Sequence, residues 1–328
     1  MDSKPLISIV CPVYNEEQAI PIFYGRLKDA IAPLADKYEF ELIFTNNRST
    51  DGTLSIIRAL REEDASVQVV TLSRNFGYQA SVLAGISYSA GDATIVIDVD
   101  CEDPPEMIPG FVAKWEEGFD IVYGLRANRP EPRVLVWLRK LFYRTLRLMA
   151  DTDIVLDMAE FALVSSRVRN VMRDNRNTYP FLRAEIGYSG FLRHGITYDR
   201  EQRVTGSSYY NLWGMILFAA AGILSVSTFP IRIALYALPL LGLVNVLLLA
   251  LDLLLGLAFA FKALVVLDLL YGITLLTTHG LYLARIYKND IGRPVFIIDW
   301  NLSFTSRSKL QPKTTSRSSL DQIPGLQN

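Results

Sequence analysis

The chain has 328 residues, 33 Lys+Arg against 34 Asp+Glu, and half its residues apolar, so a sizeable core is affordable and wholesale disorder is excluded. The near-neutral balance lacks the basic excess of a generic nucleic-acid binder, and no nucleic-acid partner is expected. Cys11 and Cys101 form no CxxC pair, which excludes a disulfide scaffold and a cysteine-rich zinc site and suits a reducing cytoplasm. The apolar residues are unevenly spread. Between Arg232 and Arg285 lie 52 residues with only three formal charges, Asp252, Lys262 and Asp268. A soluble part followed by a membrane-attached part is therefore expected.

In chain order, the apolar run Leu6–Val10 is too short for a signal-peptide core and reads as a strand, LISIVCPV, ending in YNEE. Asn15 is expected to cap a following helix whose first turn carries Glu16 and Glu17, the end that favours negative charge. Glu39–Thr45 is a second strand, followed by the polar turn NNRSTDG and a helix over Thr53–Glu63. Val67–Ser73 is a third, followed by RNFG and a helix closing near Gly91. Ala93–Asp98 and Asp120–Tyr123 are the fourth and fifth. Strands alternating with helical segments predict an α/β fold, a mostly parallel sheet covered on both faces. Ligands of such sheets bind beyond the carboxyl ends of the strands, so the polar loops there are the place to look for chemistry.

Glu131–Ala150 reads as a basic helix, either a solvated face or one turned to anionic lipid. Tyr209, Tyr210 and Trp213 cluster at one end of an apolar stretch and suit the headgroup level, so an interfacial helix is expected over residues 211–230. Ile233–Leu251 is an uncharged run that spans about 28 Å as a helix, close to a bilayer core. Pro239 within it is a candidate kink. Ala263–Ala284 is a second run, joined to the first through LDLLLGLAFAFK as a hairpin. Arg232 before the hairpin and Arg285, Lys288 and Arg293 after it place both ends in the cytoplasm by the positive-inside rule. The expected organisation is a cytoplasmic domain over 1–210, the interfacial helix, a two-helix hairpin over 231–286, and a cytoplasmic tail from 287 that is disordered from about 303. The cell inner (plasma) membrane is the expected location. Asp268 is expensive in such a span; pairing with Lys262, pairing with a neighbouring subunit in a homo-oligomer, and a solvated position all stand open.

The strongest local chemical signal is IVIDVDCEDPPE. An apolar strand ends by presenting Asp98, Asp100, Glu102 and Asp103 in a loop closed by Pro104 and Pro105. Carboxylates this close repel unless a cation or hydrogen-bond donors offset them. Oxygen-only ligands favour Mg2+ or Mn2+, and the competing reading is a solvated acidic turn before a helix. Gly85 and Gly91 form no GxGxxG and read as packing positions, and Cys101 is a poor ligand for a hard cation. Trp115 and Trp137 read as packing residues.

Taken in order, SIVCPVYNEE, FTNNRSTDGT, LSRNFGYQA, DVDCEDPPE and YGLR resemble the bacterial family 2 glycosyltransferases with a GT-A fold. LFYR, DTDIVLDMAEF, TYDREQR, STFPIR and ARIYKNDIGRP extend the resemblance over residues 6–298, toward the polyisoprenyl-phosphate group related to dolichol-phosphate mannosyltransferases. The resemblance implies a GT-A domain, Rossmann-like, that moves a sugar from a nucleotide-sugar donor, a UDP-sugar first, to polyprenyl phosphate with inversion. It implies a nucleotide-binding edge at Pro12, Tyr14, Asn15 and Glu16, joined by Asn47 and Asp98. It implies metal ligands at Asp98, Asp100 and Glu102, and basic groups for the acceptor phosphate or the pyrophosphate at Arg126, Arg139 and Arg203. Asp157 falls where the catalytic base is often assigned.

The acceptor phosphate, with a second pKa near ~6, is already an anionic nucleophile, so Asp157 is as well suited to orienting the acceptor or sugar as to acting as base. The chain also departs from the family pattern. Asn47 stands where an acidic residue is usual and Arg48 where Gly is common; Ala162 and Tyr209 replace basic residues. Arg48 and Arg183 are candidates to compensate. Two rival readings remain: a non-catalytic nucleotide- or lipid-binding scaffold, and a processive polysaccharide synthase, whose QxxRW motif and additional spans are missing from the sequence.

Overall fold

A computed structural model of the chain describes residues 4–126, 144, 151, 158–174, 182–202 and 227–305. Seven strands form one sheet in the order β3-β2-β1-β4-β6-β5-β7. They are β1 (Leu6–Val13), β2 (Glu39–Asn46), β3 (Val67–Thr71), β4 (Ala93–Val96), β5 (Ile121–Arg126), β6 (Met158–Ser165) and β7 (Arg193–Tyr198). The pairs β1–β2, β1–β4, β2–β3 and β5–β7 are parallel, while β6 runs antiparallel between β4 and β5. The mostly parallel sheet is thus as expected, and β6 and β7 are additions to the five expected strands.

Side chains alternate across the sheet with the period of two that strand geometry imposes. Ile7, Ile9, Cys11, Leu42 and Phe44 pack on one face against α1 (Ala19–Ile31), α2 (Thr53–Glu63) and α4 (Ile108–Glu116). Val10, Ile43, Val70 and Val96 pack on the other against α3 (Tyr78–Tyr88), α5 (Ser166–Asp174) and α6 (Leu182–Ser189). Trp115 is a packing residue, as expected, against Tyr38 at 6.0 Å between ring centroids. Two buried carboxylates, Glu41 and Glu160, interrupt the second face. Glu41 is satisfied there by Ser8 Oγ at 2.5 Å, Gln68 Nε2 at 2.8 Å and the Ala90 N–H at 2.7 Å, as a buried carboxylate must be.

Several local expectations need correction. Asn15 does not cap α1, which begins at Ala19 with Gln18 before it; Asn15 is instead left-handed, φ 57. β4 ends at Val96, which leaves Asp98 in the loop rather than in the strand. In the apolar region α7 (Phe229–Tyr236) precedes α8 (Leu238–Leu255), and the chain turns at Ala237. Pro239 lies in the first turn of α8, two residues after the interruption at Ala237 that divides the apolar stretch Phe229–Leu255. The hairpin connection is only Gly256–Leu257, Gly256 being left-handed at φ 64, so that Asp252 and Lys262 lie within helices.

α9 (Ala258–Asp290) has 33 residues, about 50 Å, longer than the ~30 Å hydrocarbon core of a bilayer. Phe229–Leu255 and Ala258–Asp290 are both long and apolar enough to cross a membrane. Asp268, exposed on α9, accepts a hydrogen bond from Asn245 Nδ2 of α8 at 2.7 Å, a partner within the hairpin that differs from the ones considered above. The hairpin is tied to the rest of the chain at its entry. Asp151 accepts from the Thr228 N–H at 2.6 Å and Thr228 Oγ1 at 2.8 Å and pairs with Arg232. The expected basic helix over 131–150 with Trp137, all but Arg144 of it, lies outside the described residues, as do 211–226 of the interfacial helix and the tail beyond Thr305.

Gly85 and Gly91 are close-approach positions, as expected. A Cβ on Gly91 would stand 2.6 Å from Ala93 O and 2.7 Å from both Leu6 O and Ser8 N, all backbone atoms. Gly91→Ala should therefore destabilise the domain by about 1–3 kcal/mol, as overpacking does. Thermal unfolding of the purified protein should register a lowered midpoint, and an unaltered midpoint would contradict this packing.

Candidate active site

The carboxyl ends of β1, β2 and β4 lie side by side, since Pro12 pairs with Thr45, Val13 with Asn46 and Val10 with Val96. The loops leaving β1 and β2 are knitted together. The Asn15 N–H donates to Ser49 Oγ at 3.0 Å, Asn15 Oδ1 accepts from the Thr50 N–H at 2.8 Å, and the Glu16 N–H donates to Thr53 Oγ1 at 2.8 Å. The Glu17 carboxylate accepts from the Gly52 N–H at 2.7 Å. Tyr14 is exposed at the rim of this edge. Asn47 is buried and fully directional: its Nδ2 donates to Asn75 Oδ1 at 3.0 Å, and its Oδ1 accepts from the Phe76 N–H at 2.9 Å. The loop after β3 thus joins the other two, and residues 12–16, 47 and 75–77 form one polar rim.

The acidic loop after β4 faces this rim. Asp98 accepts from Tyr78 Oη at 2.7 Å. Burial, followed by the nearby Asp100 and Asp103 carboxylates, pushes its pKa up to about 8 against the opposing pull of the Tyr78 hydrogen bond. Asp100 Oδ1 accepts from the Glu102 N–H at 3.1 Å, and Cys101 between them is left-handed, φ 59. Asp103 is 1% exposed and forms the strongest pair of the loop: Arg126 Nη2 reaches its two oxygens at 3.0 and 2.8 Å, Nε reaches Oδ1 at 3.2 Å, and Tyr198 Oη also donates to it. Glu102 pairs with Arg200, while the Glu201 N–H donates to Glu102 O at 3.0 Å. Arg26 of α1 binds Glu106 at 2.8 Å and Glu201 at 2.9 Å, which completes a strap across the loop.

Of the expected site residues, Pro12, Tyr14, Asn15, Glu16, Asn47 and Asp98 are grouped at this sheet edge, with Asp100, Glu102 and Arg126 in the adjoining loop. Asp157, Arg139 and Arg203, together with Tyr209, lie outside the described residues. Asp98 and Asp100 offer hard oxygen donors, and beside the burial that chiefly raises the proton affinity of Asp98 stands a repulsion from Asp100 and Asp103 that a divalent cation would relieve, so the residues fit Mg2+ or Mn2+. The expected three-carboxylate set is not assembled, because Glu102 is turned to Arg200, and among the described residues no group of three ligands is ready for a metal. Arg183 pairs with the buried Glu160 at 3.0 Å and Arg48 with Asp299 at 2.9 Å. Tyr78, Tyr198, Arg200 and Asp299 were not singled out from the sequence as site residues, and Asp103 was so only as one carboxylate of the acidic loop. The motif TYDREQR carried a hint of Tyr198 and Arg200, but no signal linked either to a carboxylate about a hundred positions away.

The sequence profile described as glycosyl transferase family 2 matches residues 8–173, half of the chain. The chain belongs to glycosyltransferase family 2. This glycosyltransferase is 36% identical over 300 residues to the uncharacterized glycosyltransferase YkcC of Bacillus subtilis, covering 89% of this chain and 92% of the relative. It is also 36% identical over 233 residues to the bactoprenol glucosyl transferase of Shigella phage SfX, covering 70% of this chain and 75% of that one. Among solved structures, glucosyl-3-phosphoglycerate synthase from Mycobacterium tuberculosis with uridine diphosphate is similar at a TM-score of 0.45 and 23% identity, over 67% of this chain and 79% of that one. The α/β fold with a mostly parallel sheet expected from the sequence holds for this glycosyltransferase.

Removing one partner of the Arg126–Asp103 pair leaves a charge buried alone, which typically costs about 3–5 kcal/mol. Arg126→Met should lower the unfolding midpoint of the enzyme accordingly, and Asp103→Asn in the same chain should recover part of the loss. No recovery in that double variant would show that Arg126 stabilises by packing and not by charge.

Proposed function

We propose that this glycosyltransferase works at the cytoplasmic face of the inner membrane and moves a hexose from a UDP-sugar to polyprenyl phosphate with inversion. The observation that carries the reading is the union, in one chain, of the acidic loop at the sheet edge with two membrane-length helices tied to the same domain. The relative named for bactoprenol glucosyl transfer supports the lipid acceptor and makes glucose the first sugar to test. A lipid phosphate lies at the headgroup plane, within reach of a domain fastened there by a hairpin.

The chemistry follows from charge. The acceptor phosphate is already an anionic nucleophile at neutral pH, so the hard tasks are to bring it to a second anion and to stabilise the departing nucleoside diphosphate. Pro12, Tyr14, Asn15, Glu16 and Asn47 hold the nucleotide at the rim, with Asp98 beneath it. Arg126, Arg139 and Arg203 offset the phosphates; Asp103 engages Nε and Nη2 of Arg126, and the role proposed here uses its Nη1. Asp157 acts at the acceptor or the sugar, orienting it or taking its remaining proton. A bound Mg2+ or Mn2+ would supply Lewis-acid stabilisation of the leaving diphosphate. Asp98 and Asp100 would hold it, and Glu102 would join them only by leaving Arg200.

Purified enzyme should transfer label to polyprenyl phosphate in the presence of Mg2+ from one of a panel of nucleotide sugars. Nucleotide binding without transfer from any donor would instead favour the scaffold reading. Asp100→Ala should abolish transfer and leave the unfolding midpoint near that of the parent; unchanged turnover would remove Asp100 from the metal site.

A further inference from the structure

The segment that leaves α9 returns to the sheet and closes its β3 edge. Val69 and Phe304 exchange backbone hydrogen bonds of 2.9 and 2.8 Å, the Ser73 N–H donates to Ile297 O at 2.8 Å, and the Asp299 N–H donates to Thr71 O at 2.8 Å. Thr71 donates through its N–H to Ser303 Oγ and through Oγ1 to Leu302 O, both at 2.9 Å. The Arg58 guanidinium lies 5.0 Å over the Phe304 ring, and Trp300 meets Tyr88 edge-on at 5.6 Å. An edge strand whose backbone groups would otherwise stay open is thereby covered.

One side chain of this clasp reaches past the edge to the polar rim. Asp299 Oδ2 accepts from Arg48 Nη1 at 2.9 Å, across 251 positions of sequence. Its other oxygen accepts from the Asn301 N–H at 3.1 Å, which fixes the carboxylate on a short helical turn. Arg48 is left-handed, φ 62, a conformation that disfavours any residue with a Cβ. Its chain neighbours are rim residues. Asn47 is bonded to the loop after β3, and Ser49 is bonded both to Asn46 Oδ1, through its N–H at 2.9 Å, and to the Asn15 N–H. A shift of the turn at Arg48 would move Asn47 and Asn15 together.

We propose that Asp299 is a positioning residue for the donor. By holding the Arg48 guanidinium it fixes the left-handed turn, and through that turn it fixes the rim that binds the nucleotide. The segment following the second apolar helix thus sets donor affinity from outside the pocket. This role rests on the assignment of the rim to the nucleotide made above. A glycine at position 48 adopts the same turn without strain and needs no such hold, so the effect of Asp299 should vanish when Arg48 is replaced by glycine.

The test uses full-length enzyme in lipid nanodiscs as four chains: the parent, Asp299→Asn, Arg48→Gly and the double variant. Donor KM, acceptor KM and kcat are measured, together with the affinity for uridine diphosphate by calorimetry. Asp299→Asn should raise the donor KM and weaken uridine diphosphate binding by about threefold to fivefold, the scale of a partly exposed ion pair. The acceptor KM and kcat should hold, and in the Arg48→Gly background the same substitution should add nothing. An equal loss in both backgrounds, or a loss in kcat or acceptor KM alone, would overturn the proposal, because Asp299 would then serve only the clasp. If the parent binds uridine diphosphate and Asp299→Asn binds it equally well, only the positioning role falls. If the parent itself does not bind it, the donor assignment falls and this role falls with it.

Discussion

Three aspartates at the end of one buried strand set the terms for the rest of the site. Asp98, Asp100 and Asp103 leave β4 within six residues, and their repulsion grows as water is excluded. The fold gives different partners to the carboxylates of this loop. Asp103, the most buried, takes the forked guanidinium of Arg126 and the hydroxyl of Tyr198. Glu102 takes Arg200, and Asp98 takes the Tyr78 hydroxyl. Burial first, and then the neighbouring Asp100 and Asp103 carboxylates, raise the proton affinity of Asp98. The neutral total of 33 against 34 is an average over such opposed sites, and it says little about affinity for phosphates.

Apart from Tyr78 of α3, those partners come from β5, from β7 and from the segment after it, all on the far side of the antiparallel β6. The acidic loop is consequently held from one half of the sheet, while the rim of β1, β2 and α3 is held by bonds among its own loops and by the segment after α9. The two halves meet at the ends of β1 and β4, where a donor spanning base and diphosphate would have to lie. The hairpin, too, is fastened twice, by Asp151 at its entry and along the β3 edge at its exit.

Much of this fold was legible because its first half follows simple rules. β1 and β2 are short apolar runs followed by polar turns, and α2 begins and ends where the sequence places it, Thr53 to Glu63. The second half was harder for physical reasons. Met158–Ser165 is buried on both faces, so its run lacks the alternation that distinguishes a strand, and β7 is an edge strand of mixed exposure. The cap expected at Asn15 failed because its carboxamide serves the neighbouring loop at Thr50 instead of its own helix. In the candidate site, residues within one motif were readable, as in the aspartate loop. The partners that hold them were not, since Arg126, Tyr198 and Arg200 are brought in by strand order.

The two departures of the β2 loop illustrate the same limit and resolve together. An acidic residue at position 47 could accept from the Phe76 N–H but could not donate to Asn75 Oδ1; the amide of Asn47 does both, so this position is matched to the loop after β3. Arg48 brings a Cβ into a left-handed turn and a charge to the rim, and Asp299 meets that charge from the far end of the chain. Each departure has its counterpart at a distance, one amide against another and one cation against a carboxylate. Neither residue is then a decayed remnant of the family pattern. Both belong to a rim whose geometry is kept by a different set of bonds, and those bonds tie the shape of the β2 loop to the segment that follows the apolar helices.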